Sequence, residues 1–273
     1  MSKQTLILGD CVTAIEEGKI PKVDCIVTSP PYNVNLGYKT YNDELDDNVY
    51  VEWLCNVFTH LLTVLKDDGH IFLNIDGTNA KPYLPFEIVS RIRRMCVVQN
   101  VITWVKSIAI NDETTGHFKP INSNRFLNHT HEYIFHFTKS GKLPIARKSI
   151  GVPYMDKSNI ARRRHAEDKR CRGDTWFIPY ETVASKEQKF NHPGTFPILL
   201  PQMCLRLVGK EKGVVYDPFV GVGTSLLAAN SMGWDGYGTD IDASYLETAQ
   251  IRLHLAKAEI VYENGVDFTK PLD

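Results

Sequence analysis

The fold of this chain is restricted most by a regular alternation of short apolar runs with longer stretches of helical periodicity. Runs at 5–9, 23–29, 70–75, 98–105, 132–138, 214–218 and 235–239 read as strands, and 49–65, 84–95, 197–208, 224–232 and 243–257 read as helices. Strands separated by whole helices call for crossover connections, so the expected class is α/β with a mostly parallel sheet. The rhythm breaks from about Ser140 to Gln188, which carries Pro144, Pro153 and Pro179 and has no sustained period. A loop-rich insertion on a rigid scaffold is expected there. Ile110 to Thr130, rich in Asn, Thr and His, is expected to be a second irregular piece. The division is 1–139, an insertion over 140–190, and 191–273.

With 273 residues, 43% hydrophobic and 23% charged, the chain can bury a sizeable core and is neither disordered nor collagen-like. It has no apolar run of about 18 residues, so no membrane partner and a cytoplasmic location are expected. Its six cysteines are scattered without a Cys-x-x-Cys pair, which suits reduced structural thiols, Cys25 among them as a core residue. The net charge of -1 conceals an asymmetry. Lys139 to Arg172 holds eleven Lys or Arg against three acids, a net +8, leaving -9 elsewhere. Basic charge so concentrated suits a polyanion, because phosphate contacts release condensed counterions, although a solvated charged loop reads the same way.

Two motifs carry chemistry. In Val214-Val215-Tyr216-Asp217-Pro218-Phe219-Val220-Gly221-Val222-Gly223-Thr224-Ser225, an apolar strand enters a turn with two glycines and a helix opens at Thr224. Glycine there lets backbone approach a ligand without a Cβ in the way. Twenty-three residues beyond Asp217 a second strand ends on Asp240, where a carboxylate suits the vicinal hydroxyls of a ribose. Leu226 stands where the dinucleotide fingerprint needs its third glycine, which tells against a nicotinamide cofactor. In Asp24-Cys25-Ile26-Val27-Thr28-Ser29-Pro30-Pro31-Tyr32-Asn33, a buried strand stops at two prolines. Each proline fixes φ, and the first holds Ser29 extended, so the chain makes a stiff corner at a strand's carboxyl end. The Ser29 hydroxyl and Pro30 carbonyl can act there as acceptors beside the Tyr32 ring, a setting for a flat molecule bearing an amino group.

Thr28-Ser29-Pro30-Pro31-Tyr32 followed by Asp217-Pro218-Phe219-x-Gly221-x-Gly223-Thr224 resembles the DNA amino-methyltransferases, in the chain order of their β class. Leu8-Gly9-Asp10-Cys11 looks like the family's adenine-contacting motif, and Asn191-His192-Pro193-Gly194-Thr195-Phe196-Pro197 like the segment before its cofactor turn. The resemblance implies a Rossmann-like, circularly permuted methyltransferase sheet with S-adenosylmethionine as cofactor. It implies that Ser29 and Pro30 accept from the target amine, with Pro31 completing the catalytic tetrapeptide, and that Tyr32 stacks on the base. Asp217, Pro218, Phe219, Gly221, Gly223 and Thr224 would line the methionine part, Asp240 the ribose, Asp10 and Cys11 the adenine, and Phe196 would help to enclose the cofactor. The insertion would read double-stranded DNA, with Arg162, Arg163, Arg164, Lys169, Arg170 and Arg172 on phosphates. A restriction endonuclease acting on the same site, without direct contact, is the implied partner in a restriction–modification pair.

Ser before Pro-Pro-Tyr goes in this family with cytosine N4, which is the expected target; adenine N6 is the alternative, and an RNA or protein-amide substrate a more distant one. A non-catalytic DNA-binding module is a third class, disfavoured by two intact motifs. His129, His131, Glu132 and His136 lie close enough in sequence to suggest a metal, but alternation over 131–137 fits a strand better, so no metal is expected. Trp176, Phe177 and Tyr180 either stack on DNA or pack the insertion onto the body.

Overall fold

The computed structural model describes residues 2–33, 43–116, 120–161, 167–180, 195–254 and 261–262. They form an α/β fold whose chain order is β1 (Gln4–Leu8), α1 (Cys11–Glu16), β2 (Val23–Thr28), α2 (Asp47–Val64), β3 (Leu65–Ile75), α3 (Leu84–Ile92), β4 (Val97–Val105), β5 (Ser107–Ile110), β6 (Glu113–Gly116), β7 (His131–Thr138), α4 (Ser158–Ala161), β8 (Thr175–Phe177), α5 (Leu199–Val208), β9 (Val214–Asp217), α6 (Thr224–Ser231), β10 (Asp235–Asp240), α7 (Ala243–Arg252) and β11 (Val261–Tyr262). Nine strands make one sheet in the order β11-β1-β10-β9-β2-β3-β7-β4-β8.

All neighbours are parallel except β7, which runs antiparallel to both β3 and β4. The sheet is thus mostly parallel, as expected, with β7 the one reversed strand among the described residues. The described residues between β4 and β7 contain no helix to carry a crossover, so the chain returns antiparallel. Part of that connection is itself ordered: β5 and β6 pair as a hairpin, and Asn111 and Asp112 take positive φ at its turn. The Ile110–Thr130 piece is therefore not irregular at its start. A short β8 also rises from the insertion and extends the sheet beside β4.

Both faces of the sheet are covered, which is why β2 is buried at every position instead of alternating. Ile26 points into a core with α1, α2 and α3, while Cys25 and Val27 point into a core with α5, α6, Trp104 and Trp176. Burial raises the thiols of Cys25 and Cys204, and both are core. Trp176 thus packs the insertion onto the body, its indole N–H donating to the Gly173 carbonyl at 3.1 Å.

Strand order reverses between β9 and β2. From β9 the chain proceeds through α6 to β10 on one side, and from β2 through α2 to β3 on the other. Connections leaving in opposite directions open a crevice at the carboxyl ends of those two strands, the place where α/β sheets bind ligands.

Candidate active site

Both sequence motifs end at that crevice. Cys25 and Ile26 of β2 pair with Val215 and Tyr216 of β9, so the proline corner and the glycine turn leave adjacent strands on the same edge. Asp217 joins them. Its carboxylate accepts from the Thr28 hydroxyl at 2.8 Å, the Ser225 hydroxyl at 2.5 Å and the Phe219 N–H at 3.1 Å. Burial pushes its pKa up to about 6 against the pull of those donors. The role the structure gives Asp217 is that of a tie between the last residue of β2, the glycine turn and the first turn of α6.

Gly221 and Gly223 both take left-handed backbone, φ 48° and 81°. At Gly223, the N-cap of α6, a Cβ would also lie 2.9 Å from the Ala249 Cβ. No side chain caps α6, so the first-turn N–H groups beside Thr224 face the crevice with the positive end of the helix dipole. Arg252 reaches back to the Val222 carbonyl at 2.5 Å and the Thr224 hydroxyl at 3.1 Å. Phe219 packs on Trp53, ring centres 5.5 Å apart.

Asp240 ends β10 next to β9. One carboxylate oxygen accepts from Gly221 N–H at 2.8 Å and the other from Asp242 N–H at 2.9 Å. A carboxylate has about four lone-pair sites, so each oxygen keeps one for a hydroxyl, as a ribose diol requires. Burial raises this carboxyl to about 6. Asp10 follows β1, the next strand over, and caps α1 by accepting from Val12 N–H at 2.9 Å and Thr13 N–H at 3.1 Å. Cys11 is buried beneath it and its thiol is raised by burial.

On the other side, Tyr50 donates from α2 to the Pro31 carbonyl, while no hydrogen bond reaches the Pro30 carbonyl among the described residues. Asn33 secures the exit from the corner in left-handed backbone, φ 59°. Its N–H donates to Asp43 and its side chain bonds the Leu45 backbone on both sides. Ser29 donates to the Tyr32 hydroxyl at 2.9 Å and Tyr32 donates to Glu132 at 3.0 Å. Glu132 also receives Asn74 at 3.0 Å, Lys106 at 2.9 Å and Tyr180 at 3.4 Å. Burial, then the Glu132 charge, keeps the Tyr32 hydroxyl well above its usual range.

Asn74 and Lys106 escaped sequence reasoning, as did the place of Glu132 in this site, while Tyr180, expected to stack on DNA or to pack, packs against the body core and bonds Glu132. Glu132 attracted notice only beside three histidines, of which His136 is drawn away into the core by His70 and Asn100, while His129 stacks on His131 and bonds Asp76. The available signal was a lone acid in a strand that is otherwise aromatic, aliphatic or neutral polar.

Phe196 is half-buried against the α5 core, while Asn191–Gly194 and the predicted phosphate contacts Arg162, Arg163 and Arg164 lie outside the described residues. Lys169 and Arg170 are exposed and share a pocket of about 360 Å³ with Arg147, Lys148, Tyr154 and Cys171. Arg172 donates its Nε to the Ile150 carbonyl at 3.0 Å. These cations precede β8, the edge strand four places from β2 in the sheet. Among the described residues no helix is long and apolar enough to cross a membrane.

Comparison with known proteins agrees with this geometry. The family model described as DNA methylase matches residues 23–251. The chain is 28% identical to the type II methyltransferase M.HpaI of Haemophilus parainfluenzae over 92% of its own length and 74% of the relative. It is 20% identical to the DNA adenine methyltransferase YhdJ of Escherichia coli strain K12, over 93% of its length and 83% of that protein. Among solved structures, the cytosine-N4-specific PvuII DNA methyltransferase superposes with a TM-score of 0.70 at 16% identity, covering 98% of this chain and 89% of that one. Adjacent strand ends that carry the proline corner and the glycine turn, and a family match over most of the length, make this chain a member of the DNA methylase family that modifies exocyclic amino nitrogens.

Proposed function

We propose that the chain transfers a methyl group from S-adenosylmethionine to the exocyclic N4 of a cytosine flipped out of duplex DNA. The observation that carries this reading is the order of groups along the sheet edge: Asp10 after β1, Asp240 on β10, the Gly221–Gly223 turn after β9, and Ser29-Pro30-Pro31-Tyr32 after β2, on four consecutive strands. At strand spacing this row is roughly 14 Å long. It matches the sequence adenine, ribose, methionine, target nitrogen, with each group beside a residue of suitable chemistry.

When bound, the cofactor supplies a methyl group made electrophilic by its sulfonium. The chain's own residues do the rest by placement. Asp240 has acceptors left for ribose hydroxyls, and Asp10 is set to take the adenine amine, with Cys11 beneath. The α6 N-terminus and the glycine turn accommodate the methionine end, where Asp217 and Pro218 hold the turn in shape. Ser29 and the Pro30 carbonyl take the hydrogens of the target amine, while Tyr32 faces the base. An aromatic amine is a weak nucleophile because its lone pair is shared with the ring; acceptors on its hydrogens favour the pyramidal form that attacks. With the cofactor bound, the amine lone pair would take the methyl carbon while the C–S pair stays on sulfur, and the methylated nitrogen would release one proton to solvent. In-line positioning supplies much of the rate. The amine cannot be reached within a stacked duplex, so the base must leave it.

Cytosine is favoured by Ser29 ahead of Pro-Pro-Tyr, and by the cytosine-N4 specificity named for the PvuII enzyme of like fold. Adenine N6 is the second reading, carried by the adenine specificity named for the Escherichia coli relative. The cations before β8 would bind phosphates to one side of the flipped base. A restriction endonuclease of the same specificity would share the DNA site without contact. The test is methylation of DNA by the purified protein with labelled S-adenosylmethionine, followed by digestion to nucleosides and mass spectrometry. N4-methylcytosine is expected; N6-methyladenine would reassign the base, and unlabelled DNA of every sequence would overturn the proposal.

A further inference from the structure

Ser29 can serve as an acceptor only if its own hydrogen points away from the incoming amine, and nothing in the Ser29-Pro30-Pro31-Tyr32 corner by itself decides that. A hydroxyl has one hydrogen and two lone pairs and rotates to suit its partners. We infer that Glu132 is a positioning residue that fixes Ser29 as an acceptor through the Tyr32 hydroxyl. The inference rests on the methyl-transfer reading above.

The direction of the chain follows from its end. Glu132 is 7% exposed and ion-paired with Lys106 at 2.9 Å, so its oxygens only accept. At 3.0 Å from Glu132, Tyr32 must donate, since the other rotamer would set lone pairs against lone pairs. Its oxygen is then left to accept from Ser29 at 2.9 Å. Both Ser29 lone pairs are thereby turned outward. The raised pKa of Tyr32 is consistent, because a phenol that holds its proton stays a donor.

The surroundings require a carboxylate at position 132. Its four neighbours arrive from separate elements and every one of them donates: Tyr32 from the corner and Asn74 from β3 to one oxygen, Lys106 after β4 and Tyr180 after β8 to the other. Four lone-pair sites meet four donors. Glutamine has the same shape but one acceptor end. The ammonium of Lys106 would hold that oxygen, and the amide NH2 would face Tyr32. Tyr32 would then donate to Ser29, and Ser29 would point its hydrogen at the amine, donor against donor. The chain would run backwards in the same volume, and the Asn74 amide would lose its acceptor at that oxygen.

The test is a double-mutant cycle on methyl transfer at saturating DNA, with cofactor affinity and melting temperature measured alongside. Glu132→Gln is expected to lower kcat about 100-fold, in the range for loss of one preorganised hydrogen bond in a reaction site, with cofactor Kd unchanged. Tyr32→Phe, which keeps the ring and removes the hydroxyl, is expected to lose a similar factor, and the double variant no more than either alone. A multiplied loss in the double variant, or Glu132→Gln within threefold of wild type, would overturn the inference and leave the methyl-transfer reading standing. Wild-type protein that labels no DNA would overturn that reading and this inference with it. If Glu132→Gln lowers the melting temperature sharply, Tyr32→Phe decides: loss of kcat at constant cofactor Kd and melting temperature supports the relay, and an unchanged kcat overturns it.

Discussion

Asp217 sets two requirements against each other, and replacing it with asparagine separates them. As an ion it is penalised by burial; as an acceptor it fastens β2 to β9 through Thr28 and α6 through Ser225. Its pKa rises from 3.8 to about 6 on folding, so the protonated form is favoured in the native state. A raised pKa means stability that is complete below 3.8 and lost as pH climbs to about 6. Asparagine does not titrate and keeps an oxygen for Thr28 and Phe219, while its amide can donate to a rotated Ser225 hydroxyl. The stability of Asp217→Asn relative to wild type should therefore increase by about 1.4 kcal/mol between pH 5 and pH 8, the integral of that shift at 1.36 kcal/mol per unit. Asp240, raised to about 6, is present in both proteins, so only its repulsion with Asp217 enters the difference. Urea unfolding at half-unit intervals of pH measures the difference directly. Parallel curves would show that Asp217 is ionised equally easily folded and unfolded, and the account of the tie as a buried, strained carboxylate would fail. Asp217→Ala is the control: with Thr28 and Ser225 left as buried donors, it should cost about 2–5 kcal/mol at every pH.

Three more outcomes are expected. Cofactor affinity should weaken as pH falls through about 6, because protonated Asp240 loses acceptor capacity for ribose, and Asp240→Asn should flatten that profile in isothermal titration. Gly223→Ala should lower the melting temperature and cofactor affinity together, since alanine at φ 81° is strained and its Cβ would crowd Ala249; unchanged values would show that the turn can shift. Replacing Arg147, Lys148, Lys169 and Arg170 by glutamine should reduce the slope of log affinity for duplex DNA against log salt by roughly 0.9 for each phosphate left without its cation. A slope that did not move would take DNA away from that pocket.

Local physics made the two motifs legible. Two consecutive prolines after an apolar run end a strand, paired glycines before an apolar helix make a tight turn, and Asp240 at the end of its run stays at a strand end whatever the partners are. The strand and helix positions followed from periodicity, because every long element has a buried face. What periodicity cannot carry is direction and neighbourhood. Nothing within His131–Thr138 distinguishes an antiparallel strand from a parallel one; the lack of a helix in the preceding stretch did hold that information. The β5–β6 hairpin was readable from Asn111-Asp112, two residues that tolerate positive φ, but the surrounding polarity obscured it. The setting of Glu132 could not be read at all, since its four donors come from positions 32, 74, 106 and 180 and only folding brings them together.

The row of four strand ends has a consequence for how such an enzyme can change its target. Hydrogen bonding holds neighbouring strands at a fixed pitch, so the interval from Asp240 to Ser29 is ruled by the sheet and is indifferent to the length of chain joining them. The long stretch between β7 and α5 leaves the sheet two strands beyond β2 and is not part of that ruler. If that stretch reads the DNA, as the proposed function has it, it could be lengthened, shortened or exchanged, and the DNA word with it, while the distance over which the methyl group must travel stays where the strands have put it.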